Sequence, residues 1–241
     1  MDRPALLAYR QFWNIADWVF PPDCVGCGKP GLRLCLECRN KIQYLDRDIC
    51  PVCGYPKKGK KICTECIKIS PKFTQMRSVA AYTNCISNAL VALKYHNRLD
   101  VGIIFGEELA KVVNDNRWPV DVIVPIPLGK LHKQERGYNQ AGVLARSTAL
   151  QLNLPMDDKS IRRKRETFTQ VKLSNEERRK NLVDAFEVTG HRLDGKRVLI
   201  VDDVITTGTT INSCAGAVIS SGAKEVYALS LGRSIITNVS A

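Results

Sequence analysis

Apolar and polar positions follow three rhythms along this chain. Between Leu6 and Phe20, apolar residues recur at helical spacing (Leu6, Tyr9, Trp13, Ala16, Phe20), and Pro21-Pro22 ends the run. That pattern predicts a packing helix rather than a membrane-surface anchor, because its polar face carries little basic charge. From residue 78 onward, short apolar runs alternate with longer amphipathic ones. Strands are predicted at Ser78–Tyr82, Asp121–Pro127, Lys196–Asp202 and Glu225–Leu231. Helices are predicted over Ile86–Tyr95, Gly102–Val113, Asn139–Leu152 and Thr209–Ser221. Such alternation predicts an α/β fold, a parallel sheet with helices on both faces. Between these regions, residues 24–66 follow neither rhythm and hold eight of the ten cysteines.

The run Val-Leu-Ile-Val-Asp-Asp-Val-Ile-Thr-Thr-Gly-Thr-Thr, residues 198–210, carries the densest chemistry. Val198 to Val201 read as a buried parallel strand that ends on Asp202 and Asp203. A Thr- and Gly-rich loop follows, and a helix opens behind it. Thr206, Thr207, Thr209 and Thr210 offer hydroxyls and backbone N–H groups, and Gly208 allows a close approach or a positive φ. Unpaired N–H groups at a helix N-terminus suit a phosphate monoester. Two carboxylates would repel that phosphate. They only accept hydrogen bonds, so the cis hydroxyls of a ribose suit them. The parts together describe a ribose 5-phosphate site. A Walker A loop would need a Gly-Lys-Ser/Thr ending, and a Rossmann fingerprint would place glycines at the strand end.

The cysteines form four C-x-x-C hooks: Cys24/Cys27, Cys35/Cys38, Cys50/Cys53 and Cys63/Cys66. The second pair of hooks repeats the first at an offset of 26 to 28 residues, an internal duplication. Two hooks supply the four thiolates of a closed, structural Zn²⁺ site, so two zinc ions are expected. Sequential pairing of the hooks is the simpler arrangement, and spacing also allows an interleaved one. A segment this short has too little core to fold without such staples. Cys85 and Cys214 stand apart and read as small buried hydrophobes.

Composition changes the picture in two ways. No apolar run is long enough to span a membrane and no secretory leader is evident, which leads to the expectation of a cytoplasmic protein with reduced thiols. The net charge is +12, with an excess of +5 over residues 1–70 and +4 over residues 71–155. Lys57, Lys58, Lys60 and Lys61 lie between the second pair of hooks, and Arg33, Arg39, Lys41 and Tyr44 add cations and an aromatic nearby. Cations beside a stacking surface suit single-stranded nucleic acid, although a merely soluble basic surface gives the same composition.

The stretch 198–210 resembles the phosphoribosyl pyrophosphate (PRPP) loop of type I phosphoribosyltransferases. Further pieces narrow this resemblance: Leu93-Lys94-Tyr95, Val124-Pro125-Ile126-Pro127-Leu128, Glu135-Arg136-Gly137-Tyr138-Asn139-Gln140-Ala141, Arg162 to Thr167 with Gln170, and Glu177 to Asn181. With the cysteine hooks they make the chain similar to the competence-protein ComF family, also called ComF/GntX. Its members join a double zinc ribbon to a type I phosphoribosyltransferase-like domain. One departure is visible: where members often have glycine soon after the Lys-Tyr pair, this chain has His96-Asn97.

The resemblance implies a helix and double zinc ribbon over residues 1–70 and a phosphoribosyltransferase-like domain over residues 71–241. It implies that Asp202 and Asp203 hold the ribose hydroxyls of PRPP, and that Thr206, Thr207, Gly208, Thr209 and Thr210 hold its 5-phosphate. The pyrophosphate needs Mg²⁺ and donors. Leu128, Gly129 and Lys130 are placed to supply the donors, with Lys94 and Arg136 as further cations. The polar segment Ser160–Asn181 suits a lid that excludes water. Glu135 fits a salt bridge or a base equally well. His96, His132 and His191 sit in no motif, so no general base is named.

Two function classes follow from this. One is a Mg²⁺-dependent phosphoribosyltransferase acting on a base or small-molecule acceptor. The other is a nucleic-acid-binding protein that takes PRPP as a ligand. The family resemblance implies handling of incoming single-stranded DNA during natural transformation, alongside other DNA-uptake proteins.

Overall fold

In the computed structural model, residues 3–57, 59, 61–129, 134–164 and 185–235 are described. Four strands form one parallel sheet: β1 (Gln75–Ala81), β2 (Val122–Pro125), β5 (Arg197–Ile205) and β6 (Glu225–Arg233), in the spatial order β1-β6-β5-β2. Both edges are covered by backbone. On the β1 side, Leu45 N–H donates to Val79 O at 3.0 Å and Ala81 N–H donates to Gln43 O at 2.9 Å. On the β2 side, Ile123 N–H donates to Pro155 O at 3.0 Å. Such covers hide backbone groups that an open edge would expose to pairing.

The helices are α1 (Pro4–Val19), α2 (Leu36–Asn40), α3 (Thr64–Ile69), α4 (Asn84–Tyr95), α5 (Val101–Asp115), α6 (Gln140–Leu152) and α7 (Thr209–Ser220). Alternate strand residues serve opposite faces, as the two-residue period of a strand requires. Leu199, Val201, Leu229 and Leu231 join Leu90 and Leu93 of α4, Phe105 and Leu109 of α5 and Leu144 of α6. Val198, Ile200, Val226 and Ala228 face the other way, onto Ile211, Cys214, Ala215 and Val218 of α7. Cys85 and Cys214 are buried, one in each layer.

The predicted elements appear with small shifts at their ends, and one shift matters. The sequence pattern ends the central strand on the two acids, whereas β5 runs on to Ile205. The acids make this possible by turning on their own backbone. Asp202 Oδ1 accepts from Asp203 N–H at 2.8 Å, and Asp203 Oδ1 accepts from Val204 N–H at 2.7 Å. The ladder to β6 meanwhile continues through Val204↔Gly232 and Ile205↔Arg233. A short antiparallel pair, β3 (Ile161–Arg163) with β4 (Phe186–Val188), has no counterpart among the predicted strands.

The cysteine-bearing segment straddles the β1 edge. Cys24, Val25, Cys38 and Ile42 are part of the layer over α4 and α5. Cys50, Cys53, Cys66 and Phe73 are part of the layer under α7. The two halves of the duplicated segment thus serve opposite faces of one sheet.

Candidate functional site

The end of β5 opens on a cleft of about 200 Å³. Asp202, Asp203 and Thr210 line one side, and Lys94, Arg136 and Arg163 bring three cations to it. Ile126, Pro127 and Leu128 follow β2 into the same cleft, and Asn139, Gln140 and Ala141 open α6 there. This is the carboxyl end of a parallel sheet, where α/β folds place their ligands.

Each group is held by something specific. Lys94, in the last turn of α4, puts Nζ 2.6 Å from Asp203 Oδ2. Arg136 Nη1 donates to Gln140 Oε1 at 3.1 Å and lies over the ring of Tyr95. Asn139 caps α6 by accepting from Ala141 N–H at 3.1 Å, and its amide donates to Ile126 O at 2.8 Å. The hydroxyl of Tyr138 donates to Leu93 O, linking that turn to α4. Arg163 stacks over Phe186. Gly129 is buried beside Arg163, and a Cβ there would make only an ordinary contact, 3.5 Å from Nη1.

Asp202 is pushed up to about 7. Its removal from water is the main cause, and the neighbouring Asp203 carboxylate adds to it. The Asp203 N–H, Lys94 and Arg163 pull it partly back. An acid pair held at this cost, with cations arrayed around it in a cleft, marks a candidate functional site.

Thr206 and Thr207 are exposed beside the cleft. Gly208 caps α7 with φ at +79°, which an L side chain rarely adopts, and its missing Cβ also clears Met76 Cε. Thr207 Oγ1 and Thr209 Oγ1 are 2.7 Å apart. The first turn of α7 presents N–H groups that have no partner within the helix.

Among the residues predicted from sequence, Asp202, Asp203, Lys94, Arg136, Leu128 and Thr210 meet in one cleft. Lys130, Lys58, Lys60 and most of the predicted lid lie outside the described residues, as does His132. Lys57 is half-buried and Lys61 exposed. Sequence reasoning missed the place of Arg163. It stood in a recognised run of basic residues, but nothing local shows that β3 delivers it to the acids.

The hooks gather into two clusters in sequential order, Cys24/27/35/38 and Cys50/53/63/66, with all four sulfurs of each within 4.8 Å of one another. A tetrahedron with Zn–S of about 2.3 Å has sulfurs about 3.8 Å apart. Cys27 and Cys35 Sγ are 3.8 Å apart and Cys53 and Cys63 Sγ 3.6 Å. The chemistry fits too. Cys24 Sγ accepts from Cys35 N–H at 3.3 Å and Cys50 Sγ from Cys63 N–H at 3.4 Å. Burial works to raise both thiols, but such backbone donors outweigh it and hold each at about 6. Cys38 and Cys66 are driven strongly upward by burial and by their sulfur neighbours. Only a cation lets all four ionise together. The two clusters are thus consistent with two zinc sites.

Comparison with known proteins gives a double zinc ribbon domain over residues 15–67 and a phosphoribosyl transferase domain over residues 102–232. The chain is 31% identical to competence protein ComFC of Bacillus subtilis, over 86% of each chain. It is 28% identical to competence protein F of Haemophilus influenzae, over 83% of this chain and 96% of that one. Among solved structures it is similar to a glutamine PRPP amidotransferase from B. subtilis, with 20% identity and a TM-score of 0.40. That match covers 58% of this chain and 30% of the amidotransferase. The chain belongs to the ComF family, in which a double zinc ribbon is joined to a phosphoribosyltransferase-like domain.

Proposed function

We propose that this protein binds PRPP with Mg²⁺ and acts in handling single-stranded DNA during natural transformation. Residues 71–241 carry the ligand, and residues 1–70 serve the nucleic acid. One observation carries the reading: the paired acids of β5 share a cleft with Lys94, Arg136 and Arg163, beside the Gly208 cap of α7. Acids for hydroxyls, helix N–H groups for a monoester and cations for a diphosphate match the three parts of PRPP.

In this reading Asp202 and Asp203 accept from the ribose hydroxyls. Thr206 to Thr210 hold the 5-phosphate. Lys94 leaves Asp203 for the pyrophosphate, joined by Arg136, Arg163 and the turn at Leu128–Lys130. Mg²⁺ bound together with PRPP would neutralise part of the diphosphate charge beside these cations. Should ribose C1 be attacked, the same cations stabilise the departing pyrophosphate.

The DNA role rests on the names of the relatives and on the basic charge, including Lys57, Lys58, Lys60 and Lys61. Other DNA-uptake proteins are the natural partners, acting with it in the cytoplasm. None of the helices among the described residues is long and apolar enough to cross a membrane.

The test is fluorescence anisotropy with single-stranded oligonucleotides across a salt series, with and without PRPP and Mg²⁺. Affinity that falls steeply with salt and survives Asp202→Asn with Asp203→Asn supports a DNA-binding protein with a separate PRPP site. Absence of DNA binding, with pyrophosphate released from PRPP in the presence of a nucleobase, would favour an acceptor-specific transferase instead.

A further inference from the structure

Arg77 and Arg233 are the only arginines buried among the described residues, at 8% and 3% exposure. Neither meets a carboxylate among those residues. A buried guanidinium needs an anion, because its hydration is lost and backbone dipoles alone do not replace it.

Both run onto the knuckle of the second cysteine cluster. Arg77 Nη2 donates to Pro51 O at 3.0 Å and Nη1 to Met76 O at 2.9 Å, while Nε donates to Asn116 Oδ1 at 3.1 Å. Arg233 Nη1 donates to Cys53 O at 2.8 Å, and its guanidinium lies over the ring of Tyr55. Cys50, Cys53 and Cys66 are buried at 0%, 7% and 7% exposure, so water contributes little there. Four thiolates around Zn²⁺ carry a net charge of about −2. Two guanidinium groups cancel it.

The first cluster is built differently. Its Cys27 is exposed, and the nearby Lys29 is an exposed residue that Glu37 already engages at 2.9 Å. That cluster opens one thiolate, Cys27, to solvent, and the more deeply buried one has brought its own cations.

The same groups reach the phosphate-binding loop. Val52, inside the Cys50/Cys53 hook, accepts from Met76 N–H at 2.8 Å, and Met76 Cε lies 3.1 Å from where a Cβ on Gly208 would sit. Arg233 pairs with Ile205 across the β5–β6 ladder, and Ser234 N–H donates to Ile205 O at 2.9 Å.

We propose that Arg77 and Arg233 are the built-in counter-ions of the second zinc site, and that this site braces the loop at Gly208. The first half stands on the cluster alone, and the second rests on the ribose-phosphate reading. The two arginines are positioning residues: they act on the ligand loop through the metal site and the strands.

The experiment follows zinc release from the full, zinc-loaded chain to a chromophoric chelator, with PRPP affinity measured on the same samples. Cys27→Ser and Cys53→Ser assign the release phases to the two clusters. In Arg77→Met and Arg233→Met the second cluster should release zinc at least tenfold faster, with the first unchanged. PRPP affinity should fall at least fivefold. Arg77→Lys and Arg233→Lys keep the charge but lose the fork, so they should accelerate release less than the Met variants do, by under about tenfold. Unchanged second-cluster release in the Met variants, or equal acceleration of both clusters, would overturn the counter-ion role. If the Met variants do not fold, the Lys variants decide it: tenfold acceleration there would mean that fork geometry, not charge, is what the site needs. Faster release with unchanged PRPP affinity would overturn the brace alone. A wild-type protein that ignores PRPP would instead reject the ribose-phosphate reading.

Discussion

Lys94 Nζ sits 2.6 Å from Asp203 Oδ2, tying the last turn of α4 to the acid pair of β5. The pair is partly buried, with 21% and 15% of the two side chains exposed. It neutralises one acid and, in the proposed reading, supplies a cation for the pyrophosphate. Removing it should weaken ligand binding more than it weakens the fold. Lys94→Ala is expected to lower PRPP affinity by about tenfold, roughly 1.4 kcal/mol, and to leave zinc content unchanged. Parallel calorimetry and elemental analysis check both halves.

Asp202 gives a pH signature with a definite sign. Its carboxyl is raised to about 7 in the folded chain, against about 3.9 in an unfolded one. Below about pH 4 both states hold the proton, so the group contributes nothing. Between about pH 4 and 7 the folded state keeps a proton that the unfolded state has released. Stability from this group therefore falls as pH rises, and the loss is complete above about pH 7. Asp202→Asn removes the penalty. Its Tm advantage over wild type should be small at pH 4.5 and reach roughly 3 °C or more at pH 8. An advantage that is constant with pH would count against the raised Asp202 carboxyl.

The metal clusters predict stoichiometry. Wild type should hold two Zn²⁺ per chain, and Cys53→Ser should hold one. The second cluster shares its layer with Val198, Ile200 and Val226 of the sheet, so its loss should also lower Tm, by roughly 5 °C or more. Elemental analysis and thermal melts test this together.

The turn after α4 explains the departure from the family at His96-Asn97. Asn97 has φ at +53°, the left-handed region that glycine and asparagine tolerate best. Asparagine does here the backbone work of a glycine. Asn97→Gly should be tolerated within about 0.5 kcal/mol, whereas Asn97→Val should cost about 1 to 2 kcal/mol in urea unfolding.

What could be read from the sequence was what repeats or alternates locally. The apolar runs located every strand of the main sheet, and the hook spacing located both clusters. The acids and the start of α7 were legible as one candidate site because strand, acids and helix start are contiguous. Long-range pairings were not legible. Nothing near Arg163 shows that β3 brings it to Asp202, and nothing in the hooks shows that the two clusters take opposite faces of the sheet. The end of β5 was misplaced for a related reason. Two acids look like a strand terminator, but their side chains accept from the next N–H groups while Gly232 and Arg233 continue the ladder.

The most direct test is calorimetric titration of PRPP with Mg²⁺ into zinc-loaded wild type and into Asp202→Asn with Asp203→Asn. Saturable one-to-one binding by the wild type, lost in the folded double variant, is the predicted result. Equal affinity in both proteins, or no heat from a folded wild type, would contradict the ribose-phosphate site.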